Sequence, residues 1–134
     1  MLQVITRTIV GGAQRNTRNV CAAVRDDFDL RIVCGPDEGS EGSMRKEFEE
    51  IAPVIVLPDL RRDIHPRQDL GVVRSLGRLY AELDPQIVHT HSSKAGTVGR
   101  LAPRPPSCRT VHTVHGWGHT PADRAQDFIR NGLS

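Results

Sequence analysis

Five times over, the sequence alternates between a short run of β-branched and other apolar residues and a longer stretch whose apolar residues recur at steps of three and four. A strand alternates its side chains with period 2 and a helix with period 3.6, so the pattern reads as strand and helix in turn. The strand-like runs are "LQVIT" (2–6), "LRIVC" (30–34), "VIVL" (54–57), "QIVHTH" (86–91) and "RTVHTVHG" (109–116). Between them, Ala13, Thr17, Val20, Cys21 and Val24 mark one helical face. Met44, Phe48 and Ile51 mark a second, with Ser40 or Ser43 available as its N-cap. A polar, arginine-rich loop over 59–67 precedes the strongest stripe, Val72, Val73, Leu76, Leu79, Tyr80 and Leu83, which Pro85 ends. Residues 94–102 form a short fourth helix, and Thr120-Pro121 opens a last one that Gly132 closes. Such alternation predicts one α/β domain across 1–134, a Rossmann-like doubly wound parallel sheet of about five strands in the order 3-2-1-4-5.

Sheets of this kind bind ligands beyond the carboxyl ends of their strands, at the point where the strand order reverses. The predicted order makes the first and fourth strands neighbours there. The loop after the first strand carries Arg7, Gly11 and Gly12. That after the fourth carries His91, Ser92, Ser93 and Lys94, and that after the fifth carries His115, Gly116 and Trp117. Gly11-Gly12 lets the backbone approach a ligand at a helix N-terminus, whose free N–H groups suit a phosphate. The same pair also makes a plain tight turn, and it lacks the third glycine of a dinucleotide fingerprint. Ser92, Ser93 and Lys94 can donate to an oxygen-rich ligand. Ser92 or Ser93 is at the same time a good N-cap, which is the preferred reading for the capping itself.

Five of the six histidines fall between residues 89 and 119. Alternation along the fifth strand puts Val111, Thr113 and His115 on one side, with Thr110, His112 and Val114 on the other. His89 and His112 are therefore expected to be packed, hydrogen-bonded sheet residues. His91 and His115, at strand ends, are expected to contact ligand. His-x-His places two imidazoles on one face, but there is no H-E-x-x-H, and no Asp or Glu lies between His89 and Trp117. No metal site is expected, since zinc needs three or four converging ligands.

The net charge of +2 and the dispersed basic residues argue against nucleic acid as a partner. Cys21, Cys34 and Cys108 show no C-x-x-C and read as reduced thiols of a cytoplasmic protein. The start "MLQVITRTIVGG" is not a signal peptide, and no run reaches the roughly 20 apolar residues of a membrane span. Peripheral attachment to the inner face of a membrane is compatible with this composition, although no amphipathic basic helix argues for it.

Taken together and in order, "VITRTIVGGAQRN", "GPDEGSEGS", "LPDLRRDIHPRQDL", "IVHTHSSKAGTVGRLA" and "TVHTVHGWG" resemble the N-terminal domain of family 4 retaining glycosyltransferases, enzymes of the GT-B fold. The resemblance runs from Leu2 to about Gly118. It implies an acceptor-side domain facing a donor-binding domain across a cleft, and transfer of a glycosyl unit from a nucleotide sugar to an acceptor hydroxyl, often in polysaccharide or envelope assembly. It carries Gly11 and Gly12 over as the glycine loop near the donor diphosphate and His115 as the histidine near the transferred sugar. Ser93, Lys94 and Arg7 would line the acceptor side, with His91 and Gly116 beside them. Neither a metal nor another cofactor is implied.

Two departures stand out. "APRPPSC" is proline-rich where the family has a smoother approach to the fifth strand, and the sequence stops at Ser134, before any E-x7-E motif of a donor-binding domain. The chain alone is therefore expected to turn over little. The alternative is a non-catalytic, acceptor-binding module of a split or truncated gene that pairs with a separate C-terminal domain. A metallohydrolase built on the histidines is a weaker reading.

Overall fold

The computed structural model describes residues 1–37 and 42–115. In chain order the elements are β1 (Leu2–Ile5), α1 (Gly12–Val24), β2 (Arg31–Cys34), α2 (Arg45–Ile51), β3 (Val54–Val56), α3 (Pro66–Leu83), β4 (Ile87–His91), α4 (Ser93–Leu101) and β5 (Arg109–Thr113). The five strands form one parallel sheet in the order β3-β2-β1-β4-β5, as the sequence pattern predicts. Register pairs Gln3 with His89 and Ile5 with His91 across β1 and β4, and His91 with Thr113 across β4 and β5.

Alternation along the strands builds two cores. On one face Leu2, Val4, Val33 and Val88 pack with Val72, Leu76 and Tyr80 of α3 and with Ala95 and Val98 of α4. On the other, Ile32 packs with Cys21 of α1 and with Met44 and Phe48 at α2. Burial of a side chain the size of Leu76 or Phe48 contributes about 1.5–3 kcal/mol. Burial pushes the Cys21 thiol of this second core up to about 12, and burial pushes the Cys34 thiol up to about 11 despite the nearby Arg45 charge, which disfavours the reactive thiolate of both.

Close helix-to-sheet contact depends on two glycines of α4. A Cβ on Gly99 would lie 2.6 Å from Thr90 Cγ2, and one on Gly96 would lie 2.6 Å from the His112 ring. Tyr80 Oη donates to the Gly99 carbonyl at 3.0 Å and ties α3 to α4 at this contact.

Several boundaries differ from those predicted. Helix α3 starts at Pro66 rather than near Val72, because proline suits the first helical position even where the turn's side chains are exposed. It ends at Asp84, in the left-handed region at φ 44, just before Pro85. Met44 is the N-cap residue of α2, although Ser43 Oγ still accepts the Arg45 N–H at 3.1 Å. The N-cap of α4 is Ser92, but its hydroxyl makes no capping bond: it is drawn instead to Thr6, with Oγ–Oγ 2.7 Å. Strand β5 stops at Thr113. Ser40, Gly116, Trp117 and the helix predicted from Thr120-Pro121 to Gly132 lie outside the described residues.

Candidate functional site

The carboxyl ends of β1, β4 and β5 open into a cavity of about 420 Å³ at the predicted switch point. Its wall is formed by Thr6 and Arg7 after β1, by Ser92, Ser93 and Lys94 after β4, and by His112, Thr113, Val114 and His115 along and after β5. Ala13 and Gln14, in the first turn of α1, and Arg62, from the loop after β3, complete it. Gly11 and Gly12 do not form the wall. Gln14 folds back towards them, its Nε2 donating to the Arg7 carbonyl at 3.4 Å, and a Cβ on Gly11 would meet Gln14 Oε1 at 2.6 Å.

A second group of side chains fixes the loop that carries these glycines. Thr8 donates to Asp37 Oδ1 from both its N–H (3.1 Å) and its hydroxyl (2.5 Å), and Ser43 donates to Asp37 Oδ2. Arg45 reaches Thr8 Oγ1 and the Gly35 carbonyl, each at 3.0 Å, and pairs with Asp37 at 3.3 Å. Burial alone would raise the Asp37 carboxyl, but the bonds from Ser43 and Thr8 and the Arg45 charge hold it below its ordinary value. Backbone bonds Val10 N–H to Gly42 (2.7 Å) and Met44 N–H to Thr8 (2.6 Å) complete the strap.

Lys94 is not a loose cation. Its Nζ lies 2.6 Å from Asp69 of α3 and donates to the Asp63 carbonyl at 2.5 Å, with 10% of its side chain exposed. It thereby clamps the arginine-rich loop against α3 while still forming part of the cavity wall.

The histidines divide by face as the alternation predicts, but not by role. His112 points to the α4 side, where its Nδ1 lies 2.9 Å from Thr90 Oγ1, and it still contributes to the cavity wall. His89 Nε2 is 2.6 Å from Thr113 Oγ1, the hydrogen-bonded sheet role expected of it. His91 differs from expectation: it is fully buried, its Nε2 2.6 Å from Gln3 Oε1 and its Nδ1 3.0 Å from His115 Nε2. Its ring lies between those of His89 (centroids 4.0 Å apart, planes tilted by 36°) and His115 (5.3 Å, 25°). The last residue of β4 still lies inside the sheet, so its ring nitrogens face Gln3 and His115 and it does not form part of the cavity wall. Burial first, then the neighbouring imidazoles of His89, His115 and His112, push the His91 ring down to about 3. Burial followed by neighbouring imidazoles also lowers His89 and His115. All three rings are thus neutral at physiological pH.

Sequence reading missed Thr6, Gln14, Arg62 and His112 as wall residues and Gln3 as a partner of the histidines. Arg62 was legible in part, since a loop after a third strand opens on the same edge. Gln3 gave no signal beyond being a polar residue inside an apolar strand.

A second, apolar groove lies beside the cavity, between α3 and α4. Ile64, Pro66, Leu70, Val73, Val98 and Leu101 line it, and Arg62, Ser93 and Lys94 belong to both spaces. Ile64, Leu70 and Leu101 are 82%, 51% and 67% exposed, a concentration of uncovered apolar surface.

The fold is thus a Rossmann-like sheet with a cavity at its switch point whose wall includes Arg7, Arg62 and Lys94. The chain belongs to the glycosyl transferase 4-like domain family, whose model matches residues 11–132. It is 33% identical over 93 residues to the UDP-Gal:alpha-D-GlcNAc-diphosphoundecaprenol alpha-1,3-galactosyltransferase of Escherichia coli. That match takes in 69% of this chain and 23% of the relative, so the aligned part is about a quarter of that protein's length. No solved structure matches. Among the described residues no helix is long and apolar enough to cross a membrane.

Proposed function

We propose that the chain is the acceptor-side domain of a retaining glycosyltransferase, and that its acceptor is an amphiphile, a sugar carried on a lipid diphosphate. The observation behind this reading is that the cavity and the apolar groove adjoin, with Arg62, Ser93 and Lys94 lining both. A lipid chain fits along Leu70, Val73 and Leu101, its diphosphate beside Arg62, and the acceptor sugar in the cavity near His115. The relative's printed acceptor, a diphosphoundecaprenol-linked sugar, supports the same chemistry, and its UDP-Gal donor supports a nucleotide sugar here.

In this scheme the acceptor hydroxyl oxygen forms a bond to the anomeric carbon as the bond from that carbon to the diphosphate breaks. The hydroxyl proton passes to the departing phosphate oxygen. Positioning and stabilisation of the leaving diphosphate supply the catalysis. His115 holds a hydroxyl of the sugar or acceptor, Ser93 and Arg7 face the acceptor, and the start of α1 at Gly11-Gly12 offers N–H groups to the diphosphate. These roles are assigned without a metal or another cofactor: fixed N–H groups and cationic side chains neutralise the charge. A donor-binding domain lies across the cleft and turnover requires it, while acceptor binding belongs to this chain. The groove brings the domain to the inner face of a membrane, where such an acceptor resides.

Titration of the chain with undecaprenyl-diphosphate-linked N-acetylglucosamine in detergent tests the reading. Loss of one charge-assisted contact costs about 1.5–3 kcal/mol, so Arg62→Ala should weaken binding by about tenfold or more. Leu70→Asp should weaken it comparably, and the free sugar should bind far less tightly. Equal affinity for wild type and both variants would refute the amphiphile.

A further inference from the structure

Beside the cavity runs a chain of hydrogen bonds whose direction is set at its buried end. Gln3 is fully buried in the middle of β1 and donates from Nε2 to Met1 Sδ at 3.1 Å, which turns its Oε1 towards His91. A carboxamide oxygen only accepts, so His91 Nε2, 2.6 Å away, must carry a proton. The groups that bear on the charge of His91 are His89 on its own strand, His112 on β5 and His115 beyond it, and each disfavours a second proton on the ring. His91 is therefore a neutral imidazole whose Nδ1 is a bare acceptor. The group facing that acceptor is His115 Nε2, at 3.0 Å, which must then be the protonated nitrogen of its own ring. His115 Nδ1 is left with its lone pair, at the exposed end, where Asn16 Nδ2 meets it at a long 3.4 Å.

We propose that Gln3 is a positioning residue for His115: acting through His91, it holds the His115 proton on Nε2 and presents a bare Nδ1 as a hydrogen-bond acceptor at the site. A neutral imidazole with a free choice of tautomer would offer a donor or an acceptor in turn. Here the choice is made inside the sheet, at Gln3, which lies 88 residues from His91 in sequence. The ligand group that suits this nitrogen is a donor, a hydroxyl, which displaces the long contact to Asn16. That this hydroxyl belongs to a sugar rests on the glycosyltransferase reading; the tautomer does not.

Long-range proton–nitrogen correlation spectra of the chain labelled with 15N in histidine report which ring nitrogen is protonated. At neutral pH, His91 and His115 should each show a single tautomer protonated at Nε2. A proton on His115 Nδ1, or averaging between the two nitrogens, would overturn the proposal. Gln3→Met, similar in length but without the carboxamide oxygen, should abolish the single-tautomer signature at His115. Gln3→Asn, which draws the acceptor back by one methylene, should do the same and serves if the methionine variant fails to fold. A wild-type pattern at His115 in a folded variant would equally overturn it. If the tautomers hold and no glycosyl acceptor binds, the positioning role stands and the functional reading fails.

Discussion

Thr6 Oγ1 and Ser92 Oγ lie 2.7 Å apart and join the carboxyl ends of β1 and β4 where the sheet opens into the cavity. Ser92 stands at φ 75 and ψ 155, a conformation that residues other than glycine rarely adopt. Such a residue costs about 1–3 kcal/mol and survives where its surroundings impose it. Replacement with alanine removes the hydrogen bond, worth about 1 kcal/mol, and keeps the strain. Glycine removes both. Urea denaturation should therefore find Ser92→Gly more stable than Ser92→Ala, the reverse of their usual order in regular structure. The opposite ranking would show that the backbone there is not strained.

The glycines divide by what a methyl group would meet. At Gly35 an added Cβ would lie 1.7 Å from the Leu60 carbonyl oxygen, and backbone on both sides leaves nothing to yield. Gly35→Ala should cost more than about 3 kcal/mol. Gly99→Ala presses on Thr90 Cγ2 but gains up to about 1 kcal/mol of helix propensity, so a smaller loss is expected. Gly12 has nothing within 4 Å, and Gly12→Ala should leave thermal stability unchanged or slightly raised. Any loss of diphosphate binding in Gly12→Ala would then report on the ligand and not on folding.

Acid should weaken the fold through the histidine layer. His91 is held down at about 3 when folded and returns to about 6.5 when the chain unfolds. A group whose folded value is depressed contributes fully above its unfolded value, so its contribution is present above about pH 6.5. As pH falls towards 3 the unfolded chain binds the proton and the folded chain does not, and stability drops by about 1.4 kcal/mol per pH unit. His89 and His115, lowered in the same direction, steepen the loss. Denaturation curves from pH 7 to pH 4 should show this slope in wild type and a shallower one in His91→Asn.

Much of the architecture was legible because it rests on local patterns. β-branched runs separated by helix-spaced stretches dictate a parallel sheet, and alternation along β5, carried on for two residues past its end at Thr113, is why His112 and His115 part as expected. The site was harder to read, because its geometry depends on pairs far apart in sequence. Ser92 looked like a helix cap, yet its hydroxyl goes to Thr6, 86 residues away. Lys94 looked like a free donor, yet Asp69 and the Asp63 carbonyl claim it. His91 looked like a ligand contact because it ends a strand, and only the packing of Gln3 and His115 around it shows that it faces inward. Local sequence carries periodicity and turn chemistry. It does not carry which distant partner satisfies a polar group.

The proposed function rests most heavily on His115 standing at the reacting edge of a glycosyl-transfer site. The test is the rate of sugar transfer from a nucleotide donor to a diphospholipid-linked acceptor, with the chain paired with a donor-binding domain, for wild type and His115→Ala. Loss of a positioning contact at the reacting centre should lower kcat/KM by on the order of 100-fold while the melting temperature of the half-exposed His115 variant stays close to wild type. An unchanged rate in a folded His115→Ala enzyme would rule out that role.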